Sequence, residues 1–345
     1  MTMEISCPKP YNEYDKIVLA HGSGGKLSDR LIRDIIIREL GDNYIDSAHD
    51  GAVLDIPGKL AFTTDSFVVT PLFFPGGDIG HLAVNGTVND LVCCGAKPLY
   101  LSLSLIIEEG MLIGELASVI SSVAKAACAA GIKIVTGDTK VVEKGKGDKV
   151  FINTTGVGSI PANRSISPYR CAEGDAVIIT GSIADHGISI LSTREGLSFE
   201  SPISSDCAPM NEIAELIFSV TNDIHVMRDP TRGGVASALN EISRAAGKEI
   251  LIDESSLPLN PQVKGACEIM GFDPLYLANE GKLLVFLPAR HAEKVVMSIR
   301  KHPLGKEAAI IGKVMGGKAS VKMKTLIGSS RIVDMISGEQ LPRIC

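Results

Sequence analysis

Hydrophobic and polar positions along the first half of the chain predict alternating strands and helices. After residue 25, Leu31, Ile35 and Ile36 recur at helical spacing and would share one face of an amphipathic helix. Short alternating or apolar runs predict strands at 59–69, 99–107, 132–142 and 150–160. Longer apolar patterns predict helices at 78–95, ending at Gly95, and at 111–131, where Gly131 is the stop.

The second half repeats this mixture after a turn-rich segment, 161–175, which is the best candidate for a domain boundary. Beyond it, the pattern predicts helices near 185–195, 207–220 and 233–247, with strands at 176–183, near 249–253, near 283–287 and at 317–324. We therefore expect an α/β (α+β) protein in these parts: an N-terminal arm and glycine-rich loop, 1–40; a first domain, 41–160; a second domain, 170–333; and a flexible tail, 334–345.

Composition supports two domains with aliphatic cores. The chain has 345 residues, is 45% hydrophobic, and contains no Trp and only 4% aromatic residues. The net charge of -6 and the absence of a long basic run argue against a nucleic-acid partner. The N-terminus has no apolar signal-peptide core, and no uninterrupted apolar stretch has membrane-spanning length, so we expect a cytoplasmic protein.

The eight cysteines contain no CxxC spacing, so they predict no zinc site. Most are expected to be small buried hydrophobic residues of a reduced protein. Cys345 is the exception because it ends the chain, and sequence position alone argues against a place in a core. Taken alone, it would be an accidental thiol on a frayed tail.

Aspartates at strand exits or in turns form the strongest chemical pattern. Any one of them is more often a cap or turn former. Several carboxylates from distant segments can instead converge on Mg2+ and nucleotide phosphates. The set comprises Asp50, Asp65, Asp90, Asp138 and Asp229.

Two shorter motifs are ambiguous alone. The motif HGSGGK, residues 21–26, could cradle a phosphate with backbone amides and Lys26, although it is neither a Walker A loop nor GxGxxG, and an ordinary turn fits equally well. The motif NEGK, residues 279–282, precedes an apolar strand. There Glu280 could be a general base if desolvated, but a polar turn is the simpler interpretation.

Together, these segments resemble the family of the hydrogenase maturation protein HypE. The resemblance covers about residues 17–345, in order, without departure from the pattern. It is carried by HGSGGK, HDGAVL, TTDSF, GTVNDLVCCGAKP, GDTKVVEKG, DPTRGGVA, NEGKLL and the terminal PRIC. The nucleotide motifs alone would indicate only the wider superfamily of aminoimidazole ribonucleotide synthetase, selenophosphate synthetase and thiamine-monophosphate kinase; the terminal PRIC narrows it.

The resemblance implies a two-domain aminoimidazole ribonucleotide synthetase-like fold, a homodimer that pairs its N-terminal sheets, and an ATP site between the domains. The implied reaction is ATP-dependent dehydration of a carbamoyl group on the terminal cysteine to a thiocyanate, the source of the cyanide ligand in nickel–iron hydrogenases. The implied partners are the carbamoyltransferase HypF and a HypC–HypD complex.

Residue roles follow from matching motifs. Cys345 would be the carrier, Glu280 the base and Lys140 the group that neutralises phosphoryl charge. Nucleotide-binding residues would be His21, Gly22, Ser23, Gly24, Gly25, Lys26, Asp65, Asp138 and Asn153, and Mg2+ ligands would be Asp50, Asp65, Asp90 and Asp229.

Two other readings of the sequence remain open. The chain could be a small-molecule kinase or ligase of the same superfamily with an incidental Cys345, or a non-catalytic scaffold that binds a metal or partner through its cysteines. The carrier reading is geometrically feasible, because residues 334–345 can span at most about 36–40 Å when extended. An arm of that reach could visit an internal site and an external partner.

Overall fold

A computed structural model describes residues 14–45, 49–197, 203–335 and 344–345, and shows two α/β halves with mixed sheets. Residues 1–13 of the predicted arm, which include Cys7, and residues 336–343 of the predicted tail lie outside the described residues. In the first half, a four-stranded sheet has the order β1-β6-β4-β5, in which β4 and β5 are parallel and the other neighbours antiparallel. Its strands are β1 Lys59–Phe67, β4 Lys97–Glu108, β5 Lys133–Val142 and β6 Val150–Ile160. A two-stranded ribbon adds β2 Phe73–Phe74 and β3 Gly77–Asp78.

Helices cover one face of this sheet. The first begins as α1 Lys26–Arg30, continues through a π-helical stretch, Leu31–Ile37, and ends as α2 Arg38–Leu40. Leu31, Ile35 and Ile36 are buried, as their spacing predicted. The others are α3 Ile79–Cys93 and α4 Ile113–Ala130. Helix α4 has the length and mean hydropathy, 1.4, of a membrane span, but 61% of it is buried inside the fold, as in the core helix of a soluble protein.

The second half has a seven-stranded sheet of order β13-β12-β9-β11-β7-β10-β8. Its strands are β7 Asp175–Ile179, β8 Val226–Arg228, β9 Glu249–Asp253, β10 Leu284–Pro288, β11 Ala309–Met315, β12 Ser320–Lys324 and β13 Ser330–Ile332. Its helices are α5 Asp185–Arg194, α6 Asn211–Val220, α7 Gly234–Ala246, α8 Pro261–Met270 and α9 Ala289–Ile299. Sequence patterns predicted most of these elements but not β8, β11, β13, α8 or α9.

Helix α3 joins the halves. It packs on β1 and β6 and also contacts α6 and β8, so it is buried on nearly all sides. The side chain of Asn89 on this helix accepts from Met210 N at 2.8 Å and donates to the carbonyls of Ala208 at 3.1 Å and Glu280 at 3.3 Å. A buried amide with these partners fixes the second half against the helix.

Candidate functional site

The chain's last two residues lie between the halves. Ile344 is buried and pairs with Val69 in an antiparallel bridge, while Val68 N donates to the Cys345 carbonyl at 3.2 Å. Cys345 is half-buried and packs against the large hydrophobic core. The expectation that Cys345 could not lie in a core was therefore wrong, because backbone pairing and burial of the Ile344 side chain hold the terminus inside.

The Cys345 thiol contacts Glu280. The two side chains lie side by side, close enough for each to shift the pKa of the other. Desolvation and the nearby Asp206, Asp229 and Asp65 raise the Glu280 pKa well above its usual value. Desolvation and the negative field of Glu280 likewise raise the pKa of the Cys345 thiol. Both shifts favour the protonated forms of the two groups when the last two residues lie between the halves.

A buried ion pair positions Glu280. Asp206 and Lys282 are 3.1 Å apart and enclosed, and Asp206 also accepts from the Glu280 backbone amide at 3.0 Å. Gly281 permits this contact, because a Cβ there would lie 1.9 Å from the Asp206 carbonyl oxygen. The NEGK motif, for which a polar turn was the simpler interpretation, is therefore a buried turn held in place by the Asp206–Lys282 pair. Its glutamate has an oxygen, Oε1, that is enclosed without a regular hydrogen-bond partner among the described residues.

Three predicted aspartates converge beside this support. Asp65 comes from β1, Asp90 from α3 and Asp229 from the end of β8. Burial and the Asp90 carboxylate raise the pKa of Asp65 to about 6, and burial, Asp90 and Asp65 raise that of Asp229 to about 7. Asp90 raises the pKa of Asp65 because the two carboxyl groups are neighbours. Carboxylate oxygens gathered in this way are the ligand type that hard cations prefer.

Neighbouring residues complete the cluster of Asp65, Asp90 and Asp229. The Thr63 hydroxyl donates to Asp90 at 2.7 Å, and Arg228 lies 3.5 Å from Asp229. Among the described residues, no group of three or more His, Cys, Asp or Glu side chains has metal-site geometry as it stands. The oxygen-only chemistry nevertheless fits a hard cation such as Mg2+. Asp50 is exposed and is not among the groups that shift the pKa values of Asp65 and Asp229.

The glycine-rich loop forms a separate cavity of about 420 Å³ in the first half. His21, Gly22, Ser23 and Gly24 line it, with apolar residues of the first helix and β4 opposite. The loop lies close to β5, since a Cβ on Gly22 would be 2.7 Å from Val141 N. His21 is buried and accepts from Val18 N, while Lys26 is exposed at the start of α1. Neither Gly25 nor Lys26 is among the residues that line the cavity.

Asp138 and Lys140 lie on β5, at the opposite edge of the four-stranded sheet from Asp65, whereas Asn153 lies on β6 beside β1. Asp138 and Lys140 border the cavity and form an exposed ion pair at 3.2 Å. The Asn153 amide donates to the Asp65 carbonyl at 2.8 Å, which ties β6 to the strand that carries the carboxylate. Gly137 and Asp65 occupy one row across the sheet, separated by three interstrand spacings, or about 14 Å. A single chain thus holds two groups of predicted site residues rather than one.

Sequence reasoning did not identify several residues of the site. His186 accounts for one contact of the tail: its Nε2 lies 2.8 Å from the Ile344 carbonyl. Asn89 and the Asp206–Lys282 pair support Glu280. Asn89 directly precedes Asp90 in a quoted motif, which was the available indication. Lys282 ends the NEGK motif, whereas Asp206 and His186 lie in segments without a recognisable pattern.

Both halves of the chain match known protein families. Residues 48–160 match the family described as AIR synthase related protein, N-terminal domain, and residues 172–324 match its C-terminal domain. Carbamoyl dehydratase HypE of Cupriavidus necator is 46% identical over 348 residues, covering 100% of this chain and 99% of that protein.

Two solved structures are also similar. The hydrogenase maturation protein HypE in complex with ATP gives a TM-score of 0.92 at 48% identity, covering 95% of this chain and 99% of that one. A HypE–HypF complex gives 0.79 at 47% identity, covering 90% and 100%. With identity of this degree over nearly the whole length, the chain belongs to the HypE family, the carbamoyl dehydratases of hydrogenase maturation.

Proposed function

We propose that this carbamoyl dehydratase carries its substrate on Cys345 and converts an S-carbamoyl group there to a thiocyanate at the expense of ATP. The amide oxygen attacks the γ-phosphorus, the bond to ADP breaks, and one N–H proton is lost. A base then takes the second N–H proton as the C–O bond breaks, C≡N forms and phosphate leaves with the oxygen. The sum is S-carbamoyl-cysteine plus ATP giving S-cyano-cysteine, ADP and phosphate.

The contact between Cys345 and Glu280 is the observation that carries this proposal. A carbamoyl group on the sulfur would extend from the point where the thiol now meets the carboxyl. Glu280 is therefore within reach of the nitrogen protons that must be removed. The carboxylates of Asp65 and Asp229 lie near enough to Glu280 to raise its pKa. The residues proposed to bind Mg2+ and phosphate are therefore next to the proposed base.

Glu280 must be ionised to act as the base. With Cys345 beside it, the pKa of Glu280 is raised by burial and by Asp206, Asp229 and Asp65. Mg2+ held by Asp65, Asp90 and Asp229 would supply positive charge for phosphate binding at the end of β1, α3 and β8. Neutralising those carboxylates also removes part of the field that keeps Glu280 protonated.

ATP binding in this chain is supported by the similarity to the HypE structure that contains ATP. The cavity of the glycine-rich loop offers backbone amides and a wall of apolar residues, which suit a nucleotide. The roles proposed for Gly25, Lys26, Asp138, Asn153 and Lys140 need the ligand to span from this cavity toward Asp65. The same holds for Asp50, which stays in the proposed ligand set by its motif alone.

The outer face of the four-stranded sheet is the proposed homodimer interface. Phe62 is 71% exposed, Leu60 49% and Ile106 43%, and all three lie on the face opposite the helices. Apolar side chains exposed on an open sheet face are typical of a covered surface. Asp138 and Lys140 share this face, so pairing of two chains would bring them against the partner's sheet.

Partner proteins follow from the same chemistry. The HypE–HypF complex supports HypF as the carbamoyl donor for this chain, and we place a HypC–HypD complex as the cyanide acceptor. Between the halves the pKa of the Cys345 thiol is raised, which disfavours the nucleophilic thiolate. Cys345 should therefore leave the interface to receive the carbamoyl group. The seven described cysteines are free, consistent with work in the reducing cytoplasm.

Intact mass spectrometry tests the proposal. Carbamoylated protein mixed with ATP and Mg2+ should lose the mass of one water per chain, and Cys345→Ala should accept no carbamoyl group. A superfamily kinase or ligase with an incidental terminal thiol would instead keep its turnover after that thiol is capped. An unchanged mass in the wild-type protein, with ATP consumed, would count against the dehydration.

A further inference from the structure

His186 makes a contact with the tail for which the motifs give no role. It lies in α5, is fully buried, and its Nε2 is 2.8 Å from the Ile344 carbonyl oxygen. A carbonyl can only accept, so Nε2 must carry the proton. Nδ1 lies 2.8 Å from the Ser205 hydroxyl, and the ring meets Phe74 edge-on with centroids 5.6 Å apart.

Ser205 fixes which ring nitrogen carries the proton. Its oxygen accepts from Cys207 N at 3.1 Å, which leaves the hydroxyl proton for Nδ1 of His186. Burial lowers the pKa of His186, which keeps the ring neutral. The imidazole is thereby held as an Nε2–H donor aimed at the main chain of the tail.

The seat for the last two residues is built from both halves. The first half supplies Val68 N for the Cys345 carbonyl and the backbone of Val69 for the bridge with Ile344. The second half supplies His186. Apart from burial of the Ile344 side chain, these contacts use main-chain atoms, so they are the same whether the sulfur carries hydrogen, a carbamoyl group or a cyano group.

We propose that His186 is a positioning residue that seats the chain's own C-terminal dipeptide by binding the Ile344 carbonyl, and so presents the Cys345 sulfur to Glu280. The proposal rests on the carrier function of Cys345. The ligand class is an apolar residue followed by a terminal cysteine, bound through its backbone. Loss of the donor would leave a buried carbonyl unpaired and favour the unseated tail.

The experiment compares His186→Phe, which keeps the ring's bulk without a donor, with His186→Gln, which keeps an N–H donor. His225→Gln is the matched control, since His225 bonds to Asp175 and Asp223 and has no hydrogen bond to residues 344–345. Full-length proteins are alkylated with N-ethylmaleimide, and each cysteine is followed by peptide mass mapping. Cys171 and Cys267 are buried and report on the fold, whereas the exposed Cys128 reports on the reagent.

In His186→Phe, alkylation of Cys345 should accelerate on the order of tenfold while Cys171 and Cys267 stay protected. Single-turnover loss of water from the carbamoylated protein should slow by a similar factor with ATP affinity unchanged. His186→Gln should recover most of both effects, and His225→Gln should show neither. A change in ATP affinity equal to the loss of rate would indicate a structural role and overturn the proposal.

Two further results decide the matter. If Cys345 is alkylated at the same rate in wild-type protein and in His186→Phe, the proposed role of His186 in positioning the tail is refuted. If His186→Phe exposes Cys171 and Cys267 as well, the Gln variant decides: recovered Cys345 protection supports the proposal, and lack of recovery refutes it. Failure of the wild-type protein to lose water from Cys345 would refute the carrier function, whereas the alkylation comparison would still test the seat.

Discussion

The Cys345 thiol lies beside the Glu280 carboxyl inside the interface between the two halves. This contact joins the end of the chain to the turn before β10. It places a carboxyl whose pKa is raised by burial beside the atom that would carry the substrate. The reaction therefore needs no large rearrangement of the base once the loaded tail is seated.

Replacing Glu280 by Gln should slow formation of the thiocyanate by about 100-fold or more, because the isosteric amide cannot accept the nitrogen proton. The fold should be retained, since burial already favours the neutral form of Glu280 and the amide has the same shape. Single-turnover mass spectrometry and an ATP-binding titration measure the two effects. Glu268→Gln, an exposed position on α8, is the control. Native dehydration by Glu280→Gln would leave Glu280 as a turn residue only.

Asp65→Asn, Asp90→Asn and Asp229→Asn should each reduce Mg2+-dependent ATP use by about 100-fold, because each removes one charge from the proposed cation site. Circular dichroism should show folded proteins. Asp34→Asn, on the exposed side of the first helix, should behave as wild type. ATP hydrolysis at the native rate in all three variants would refute the assignment of this cluster.

The metal-free protein should lose stability as the pH rises from about 4 to about 7. The folded-state pKa values of Asp65 and Asp229 are raised from 3.8 to about 6 and about 7, so the folded state binds more protons than the unfolded chain in this range. Their contribution is complete below the unfolded pKa and lost as pH passes the folded pKa. Mg2+ should stabilise the protein increasingly over the same range, because it replaces these protons.

Thermal unfolding against pH, without metal, measures this effect in wild-type protein and Asp229→Asn. The variant cannot ionise at position 229, so its melting temperature should fall less between about pH 5 and about pH 8. An identical fall of the melting temperature in both proteins would mean that the pKa of Asp229 is not raised in the folded state.

Long periodic elements were predictable from sequence because their packing is regular. The patterns for α4 and β6 required only the local alternation of apolar and polar positions. Strand β8, Val226–Arg228, has three residues, too few for a period to be recognised. Helix α9 also has helical spacing, with Ala292, Val295, Val296 and Ile299 buried, so the same local pattern is present in that segment.

The candidate site was predictable as a set of residues but not as an arrangement. Motifs identified Asp65, Asp90, Asp229 and Glu280, and the structure brings them together. The seating of Cys345 was not predictable, because it depends on pairing between residue 344 and residue 69. Long-range contacts of this kind leave no local periodicity. His186, which binds the Ile344 carbonyl, could not be predicted for the same reason.

Phe62→Glu should convert the proposed homodimer to a monomer, because it places a charge among the exposed apolar side chains of this sheet face. Sedimentation velocity measures the change. Ile269→Glu is a suitable control, since Ile269 is 84% exposed on α8 in the other half of the chain. A wild-type monomer, or a dimer unaffected by Phe62→Glu, would contradict pairing through this face.

The central claim is that Cys345 carries the group that is dehydrated beside Glu280. The most direct measurement is peptide mapping of carbamoylated protein before and after addition of ATP and Mg2+. The C-terminal peptide should carry the carbamoyl group on Cys345 and then lose the mass of one water, while no other cysteine changes. A carbamoyl group on another residue, or a C-terminal peptide whose mass stays constant while ATP is consumed, would contradict the account.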